Sequence, residues 1–538
     1  MADRPIDKLA ERAETLAGAW GARARASTTL GQERALLRLF GVTGLDRSGR
    51  PLAGAAVDRW LTSAQDGLGG GIALPFAMAL TEYDLEPQQL ALDVASGAID
   101  LALEAELLRE PERRAIAVGE ADRLVGVAVD RIDADRIAGR ELLDLLGEAP
   151  RPWIGTTLAE PEVDEALDEA AGLGSAGFDL LRVEVPIGRE LADRMQSAGV
   201  EPPEWHPREG RGGPSRAADM DGADPAPSGS QRALARLRRA ADGVAAQRRA
   251  YVRLGTAIPP LGVPEGAVVA AFERVDLVEA DPVAEIVVGG VDPDRSLADH
   301  AFARRLHRRS DTFVSIGPGP LVVAPDLVSG VPSDPATRSG RALALQLLGV
   351  ALARADGLSS DRMVVGAYPA WLADEPSAVA RVLAEVDVRR SLFPDHIIRF
   401  DEPVANGSIG GPGAAWSYIV AAALARTGPS ALLMRRSHPD MAHAASDARA
   451  AARTATEVAG VLTRRPLHGV AQDHATAMLA VAMTTLDRLS DLGWRAVVGD
   501  PPRAVGRNRE GRATWAIGGD AVAERTESFD ALGAFDKD

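Results

Sequence analysis

An alternation that begins after residue 150 constrains this chain more than any other feature. Short apolar or β-branched runs, each ending in Gly, Pro or an acid, are separated by stretches of helical spacing. The runs are "WIGTTL" from Trp153, "FDLLRVEVP" from Phe178, "AYVRLGTAIPP" from Ala250, "RVDLVEADP" from Arg274, "TFVSIGPGP" from Thr312, "RMVVGAYP" from Arg362 and "HIIRFDEP" from His396. A strand that is apolar at nearly every position needs cover on both faces, which a parallel sheet flanked by crossover helices provides. Seven or eight such units predict a closed (β/α)8 barrel of the TIM type, in the α/β class. An open doubly wound sheet would carry a Gly-rich fingerprint after its first strand, and "WIGTTLAEPEVDEA" has none. The eighth unit stays open: "AEIVVGGVDP" from Ala284 is either the last strand or a short appendage.

The flanking sequence reads differently. From about Lys8 to Leu146 apolar residues recur at helical spacing among Ala, Leu, Glu and Arg, which predicts an all-helical N-terminal region over residues 1–150. The barrel is then expected over 151–415, and C-terminal helices with an irregular tail over 416–538. Within the barrel, Glu204 to Gln231 is rich in Gly, Pro, Ser and Asp without period, the texture of a disordered loop or a lid.

With 538 residues the chain exceeds one ordinary domain. A formal net charge of −17 repels phosphate backbones, which argues against nucleic acid as a partner. The absence of Cys excludes disulfides and thiolate chemistry and suits a reducing cytoplasm. The first ten residues, "MADRPIDKLA", lack the apolar run of an export signal, and no apolar stretch approaches the roughly 18 residues of a membrane span. A cytoplasmic protein without a membrane partner is expected.

In a barrel of this kind chemistry sits where strands end. The residues so placed are Thr156, Thr157, Arg182, Glu184, Arg253, Thr256, Glu279, Asp281, Ser315, Tyr368, Asp401 and Glu402. Arg182 and Glu184 share one face of a strand, as an anion-binding guanidinium held by a carboxylate or as an ion pair closing the barrel mouth. Glu184, Asp401 and Glu402 are candidate acids or bases, although acids before Pro commonly just end a strand. "SHPDMAH" groups His438, Asp440 and His443 at a spacing unlike that of helical zinc sites, and Asp440 reads better as a helix cap. Asp473 and His474 read as a solvated pair on a helix. No metal site, nucleophile elbow or P-loop is predicted.

The N-terminal segments "ERALLRLFGVTGLDRSGRPLAGAAVDRWL", "GLGGGIALPFAMAL" and "LALDVASGAIDL" resemble the α subunit of D-lysine 5,6-aminomutase. The likeness includes the R-L-x-G-x-x-G-x-D run from Arg38 to Asp46 and continues through "YVRLGTAIPPLGVPEGAVVAAFERVDLVEAD", "FDEP" and "RRSHPD". It implies a barrel that binds pyridoxal phosphate (PLP) and pairs with a smaller β subunit. That partner would carry the adenosylcobalamin-binding D-x-H-x-x-G motif, absent here, and the PLP-linking Lys. The implied reaction is a radical 1,2-shift of an amino group on a D-lysine-like or related diamino acid.

By the same resemblance Arg182 matches a PLP-binding Arg; among the strand-end residues, Arg253, Thr256 and Ser315 are further candidates for cofactor contact. Where the family places Ser, Tyr, Arg and Asn around PLP, this chain has Pro259, Ala284, Gly289 and Pro320 or their neighbours. These departures imply a second reading: a divergent barrel without PLP, acting as a non-catalytic partner or in another cobalamin-dependent reaction. A third reading, an unrelated lyase or hydrolase, rests on Glu184, Asp401 and Glu402 alone.

Overall fold

In the computed structural model the described residues are 5–64, 67–158, 163–184, 227–287, 291–317, 334–367, 377–402, 420, 422–428, 430–435, 441–462, 466–498, 522–526 and 529–536. Strand β1 (Ser27–Thr29) lies in the N-terminal part. Then come eight parallel strands, β2 (Trp153–Thr157), β3 (Leu180–Glu184), β4 (Arg253–Ala257), β5 (Leu277–Glu279), β6 (Phe313–Ile316), β7 (Met363–Ala367), β8 (Ile397–Asp401) and β9 (Ala431–Arg435). They close in the order β2 to β9, with β9 pairing back onto β2.

The closing strand is therefore "ALLMR" at 431–435, beyond position 415 where the sequence reading ends the barrel. Its Ala, Leu, Met and Arg are good helix formers, so local preference concealed a strand paired on both edges. The other candidate, from Ala284, begins instead in helix Pro282–Val287. Asp281 precedes that helix and its Oδ1 accepts the Val283 N–H at 2.9 Å, a cap that turns the chain away from extended geometry. The predicted loop ends earlier than expected, because a helix begins at Pro227.

Helices α1 (Pro5–Arg25), α2 (Leu30–Leu39), α3 (Leu52–Leu61), α4 (Ala73–Tyr83), α5 (Pro87–Ser96), α6 (Leu101–Leu107) and α7 (Pro111–Leu146) form the N-terminal region. Around and after the barrel run α8 (Val163–Ala176), α9 (Pro227–Arg248), α10 (Val263–Phe272), α11 (Pro282–Val287), α12 (Pro293–Ser310), α13 (Pro335–Ala355), α14 (Ala378–Leu392), α15 (Met441–Leu462) and α16 (Val470–Leu492). Asp-Pro pairs start α12 and α13. Asp292 and Asp334 each accept two first-turn N–H groups, and the following Pro supplies a residue that has no N–H to satisfy. Among the described residues no helix is long and apolar enough to cross a membrane.

The N-terminal helices are not a separate lobe. α1 lies along α12 and α13, and α2 packs on α10. One apolar core runs from Leu9 and Phe76 through Val268 and Leu348 to Phe535. β1 also pairs antiparallel with β10 (Val522–Glu524), joining the two ends of the sequence.

Polar groups are buried at the same seam. Thr29 hydrogen-bonds Asp299, Arg295 Nε donates to Asp299 at 2.7 Å, and Ser296 Oγ donates to Glu285 at 2.7 Å. The His300 ring lies 3.4 Å from Glu285. Burial pushes the Glu285 carboxyl up to about 8 and the His300 and His307 imidazoles down to about 3, with Arg304 repelling the charged form of both rings.

Candidate functional site

Register divides the barrel strands into two faces. Trp153, Leu180, Leu277, Phe313, Val364, Ile397, Leu432 and Met434 form an apolar interior cluster. Residues two and four positions further along share that face. Thr157, Arg182, Glu279, Ser315, Arg399 and Asp401 thus stand on the inner face at the C-terminal ends of five strands, above the apolar layer.

These side chains bond to one another. Arg182 donates to Thr157 Oγ1 at 3.0 Å and pairs with Glu279 Oε2 at 2.9 Å. Arg399 pairs with the other Glu279 oxygen, donates to Ser315 Oγ at 3.3 Å, and meets Asp401 Oδ1 through two nitrogens at 2.9 and 2.7 Å. Glu279 is thereby held between two guanidiniums. Burial alone would raise its carboxyl, but Arg182 and Arg399 outweigh it and hold the group below the ordinary value. Deeper in the wall Asp281 accepts the Gly317 N–H at 3.1 Å, and burial keeps its carboxyl raised.

Some candidates lie elsewhere. Arg253 is the first residue of its strand, at the opposite pole of the barrel: its guanidinium stacks 3.6 Å over the Trp153 ring and pairs with Glu148 at 3.0 Å. The strand starts three residues later than the run from Ala250 predicts, which moves Arg253 from the mouth to the base. Thr256 is in register with Val183 and Val278, and Thr156 with Leu181, so both face the surrounding helices. Glu402 follows β8 and lies 3.4 Å from Arg435, outside the ion-paired group. Glu184 is the last residue of β3, opposite Ala257. Its side chain, Tyr368, His438 and Asp440 lie outside the described residues, as does the side chain of His443. His474, read as solvated, is buried with its ring 3.6 Å from Glu385. Among the described residues no group of His, Asp and Glu is placed to hold a metal ion.

Arg399 is the residue the sequence reading missed, and its signal was present. In "HIIRFDEP" Ile397, Arg399 and Asp401 share one face, so an Arg two residues before an acid sits inside a strand whose other residues, Ile397, Ile398 and Phe400, are apolar. A guanidinium there requires a buried partner. The assembled group brings donors and acceptors of both charges together at the C-terminal end of the barrel, largely withdrawn from water.

Comparison with known proteins places this architecture. The family described as the D-lysine 5,6-aminomutase TIM-barrel domain of the alpha subunit matches residues 2–409. The lysine 5,6-aminomutase alpha subunit of Fusobacterium nucleatum is 24% identical over 379 residues, 70% of this chain and 66% of that protein. The alpha subunit of Acetoanaerobium sticklandii is 23% identical over 377 residues, again 70% and 66%. The match thus spans just under two thirds of these relatives. Among solved structures, Burkholderia cenocepacia dihydropteroate synthase is 16% identical with a TM-score of 0.34, over 59% of this chain and 94% of that one. Pyrococcus horikoshii ribulose-1,5-bisphosphate carboxylase/oxygenase is 14% identical with a TM-score of 0.35, over 65% and 68%.

Proposed function

Since the chain belongs to the family of D-lysine 5,6-aminomutase α-subunit barrels, we propose that it is the barrel subunit of an adenosylcobalamin-dependent aminomutase acting on a small amino acid, D-lysine or a related diamino acid. The observation that carries this reading is the group of Arg182, Glu279, Ser315, Arg399 and Asp401 at the C-terminal mouth of the closed barrel. A free amino acid presents a carboxylate and at least one ammonium. The mouth presents both counter-charges: Arg182 and Arg399 for the acid, Glu279 and Asp401 for the amine. The apolar layer beneath them keeps water from the floor of the site.

Cobalamin, when bound, supplies the radical that starts an amino-group shift. In this reading it is held by a smaller partner subunit, which caps the mouth. The barrel's own residues bind and orient the substrate and shield it from solvent. The test is to co-purify the chain with a partner carrying D-x-H-x-x-G in the presence of adenosylcobalamin. A stable complex that retains the cobalamin absorbance bands and isomerises a diamino acid is expected; a chain that neither binds the partner nor supports isomerisation overturns the reading.

PLP fits the described residues poorly. The Arg182 guanidinium already has a buried carboxylate as counter-ion. Pro259 and Ala284, which stand near family PLP contacts, carry no side-chain donor. These observations favour, as a second reading, a barrel that works with cobalamin and without PLP. A complex that retains the visible band of PLP, and loses it in Arg182→Ala, would reject that second reading.

A further inference from the structure

We propose that Glu279 and Asp401 are specificity-determining carboxylates that set the charge class of ligand admitted to the barrel mouth: small amino acids, whose ammonium groups equal or outnumber their carboxylate, are accepted, and phosphate-bearing anions are turned away. The inference rests on reading this mouth as the small-molecule site and goes beyond the reaction assigned to it.

The argument is one of charge balance at close range. Two guanidiniums, Arg182 and Arg399, would make the mouth an anion trap if they stood alone. They do not. Glu279 gives one oxygen to each of them, and Asp401 takes two nitrogens of Arg399. The four side chains are largely withdrawn from water, with relative exposures of 15% for Arg182, 11% for Arg399, 21% for Glu279 and 15% for Asp401. Solvent therefore screens them little, and the formal charges of these four side chains cancel.

A dianionic phosphate entering beside Arg182 would meet the Glu279 carboxylate on the same guanidinium, with no neighbouring lysine to offset the added charge. The nearby backbone donor Gly317 N–H is already given to Asp281. An amino acid adds no net negative charge, and its carboxylate and ammonium groups can exchange with the existing pairs. Glu279 and Asp401 stand on different strands, β5 and β8, so the balance is set by the barrel's closure and not by one local motif.

Calorimetric titration of the full chain with inorganic phosphate at fixed ionic strength tests this. Phosphate is expected to bind Glu279→Gln and Asp401→Asn at least about tenfold more tightly than the wild type, since each change uncovers a cationic charge. Glu279→Asp, which keeps the charge, should bind phosphate as weakly as the wild type, and adding Arg182→Ala to Glu279→Gln should abolish the gain. Wild-type affinity for phosphate equal to or greater than that of both neutral variants would overturn the proposal. Circular dichroism verifies folding, and if one neutral variant is unfolded the other decides. The titration needs neither partner subunit nor cobalamin, so its failure leaves the aminomutase reading intact, and failure of that reading leaves the phosphate result interpretable.

Discussion

Arg399 and Glu279 stand 120 positions apart in sequence, yet they are joined by an ion pair across the inside of the barrel. The pair is mostly shielded from water, and each member has a second partner: Asp401 for the arginine, Arg182 for the glutamate. Removing one member leaves its partners' charge uncompensated, and removing both leaves one charge of each sign unpaired, on Asp401 and on Arg182. Arg399→Ala is expected to destabilise the fold by about 3 kcal/mol, and Arg399→Leu with Glu279→Leu by less than the sum of the two single changes. Urea denaturation followed by circular dichroism checks both, and additive losses would contradict the pairing.

Arg253 and Arg182 are both inward-facing arginines, but at opposite poles. Arg253→Ala removes a guanidinium stacked on Trp153 and is expected to cost about 2 kcal/mol of stability while leaving amino-acid binding unchanged. Arg182→Ala should weaken binding at least about tenfold. Binding isotherms of the two variants separate base from mouth, and a binding loss in Arg253→Ala would return that residue to the site.

The barrel was legible because seven of its strands are apolar on both faces and end in turn residues. The eighth was not, because Ala431 to Arg435 is helix-forming in isolation and becomes a strand only when flanked by β8 and β2. The site was half legible: Arg182, Ser315 and Asp401 follow from strand ends, while Arg399 lies one layer deeper and Glu279 acquires its meaning from two arginines on distant strands. Arg253 and Thr256 show the converse. A one-residue or three-residue uncertainty in where a strand starts exchanges inside for outside, or base for mouth.

Gly340 reports on the packing of α13 against α16. A Cβ there would lie 2.6 Å from the Met478 carbonyl oxygen and 2.6 Å from Val481 Cβ. Ala is favoured over Gly inside a helix by up to about 1 kcal/mol, yet a clash with backbone cannot be relieved by a rotamer change. Gly340→Ala is therefore expected to destabilise by about 1–3 kcal/mol net, measured as a fall in the urea midpoint. An increase in that midpoint would mean the helices can separate freely.

The seam between α12 and the barrel titrates in two directions. His300 and His307 are held neutral, with pKa values lowered to about 3, so their contribution is complete above their ordinary value of 6.5 and is lost as the pH falls toward 3. Glu285 is raised to about 8, so its contribution is complete below the ordinary 4.5 and is lost as the pH rises through 8. Stability is expected to fall on the acid side of pH 6.5, less steeply in His307→Gln. It is also expected to decline toward pH 8, less steeply in Glu285→Gln. Urea midpoints measured from pH 4 to 9 check the signs, and unchanged slopes in both variants would refute the assignment.

The pairing of β1 with β10 has a consequence for how the protein is made. Arg525 donates to the Ser27 carbonyl across 498 positions of sequence, so β1 is without its β10 partner until those further residues have been synthesised. At ordinary rates of synthesis that interval is about 25–100 s. During it the helices before the barrel offer an uncovered strand edge, the kind of surface that chaperones hold and that otherwise seeds aggregation. The yield of soluble protein in a cell should therefore depend on translation speed and chaperone supply more than the stability of the finished barrel would indicate.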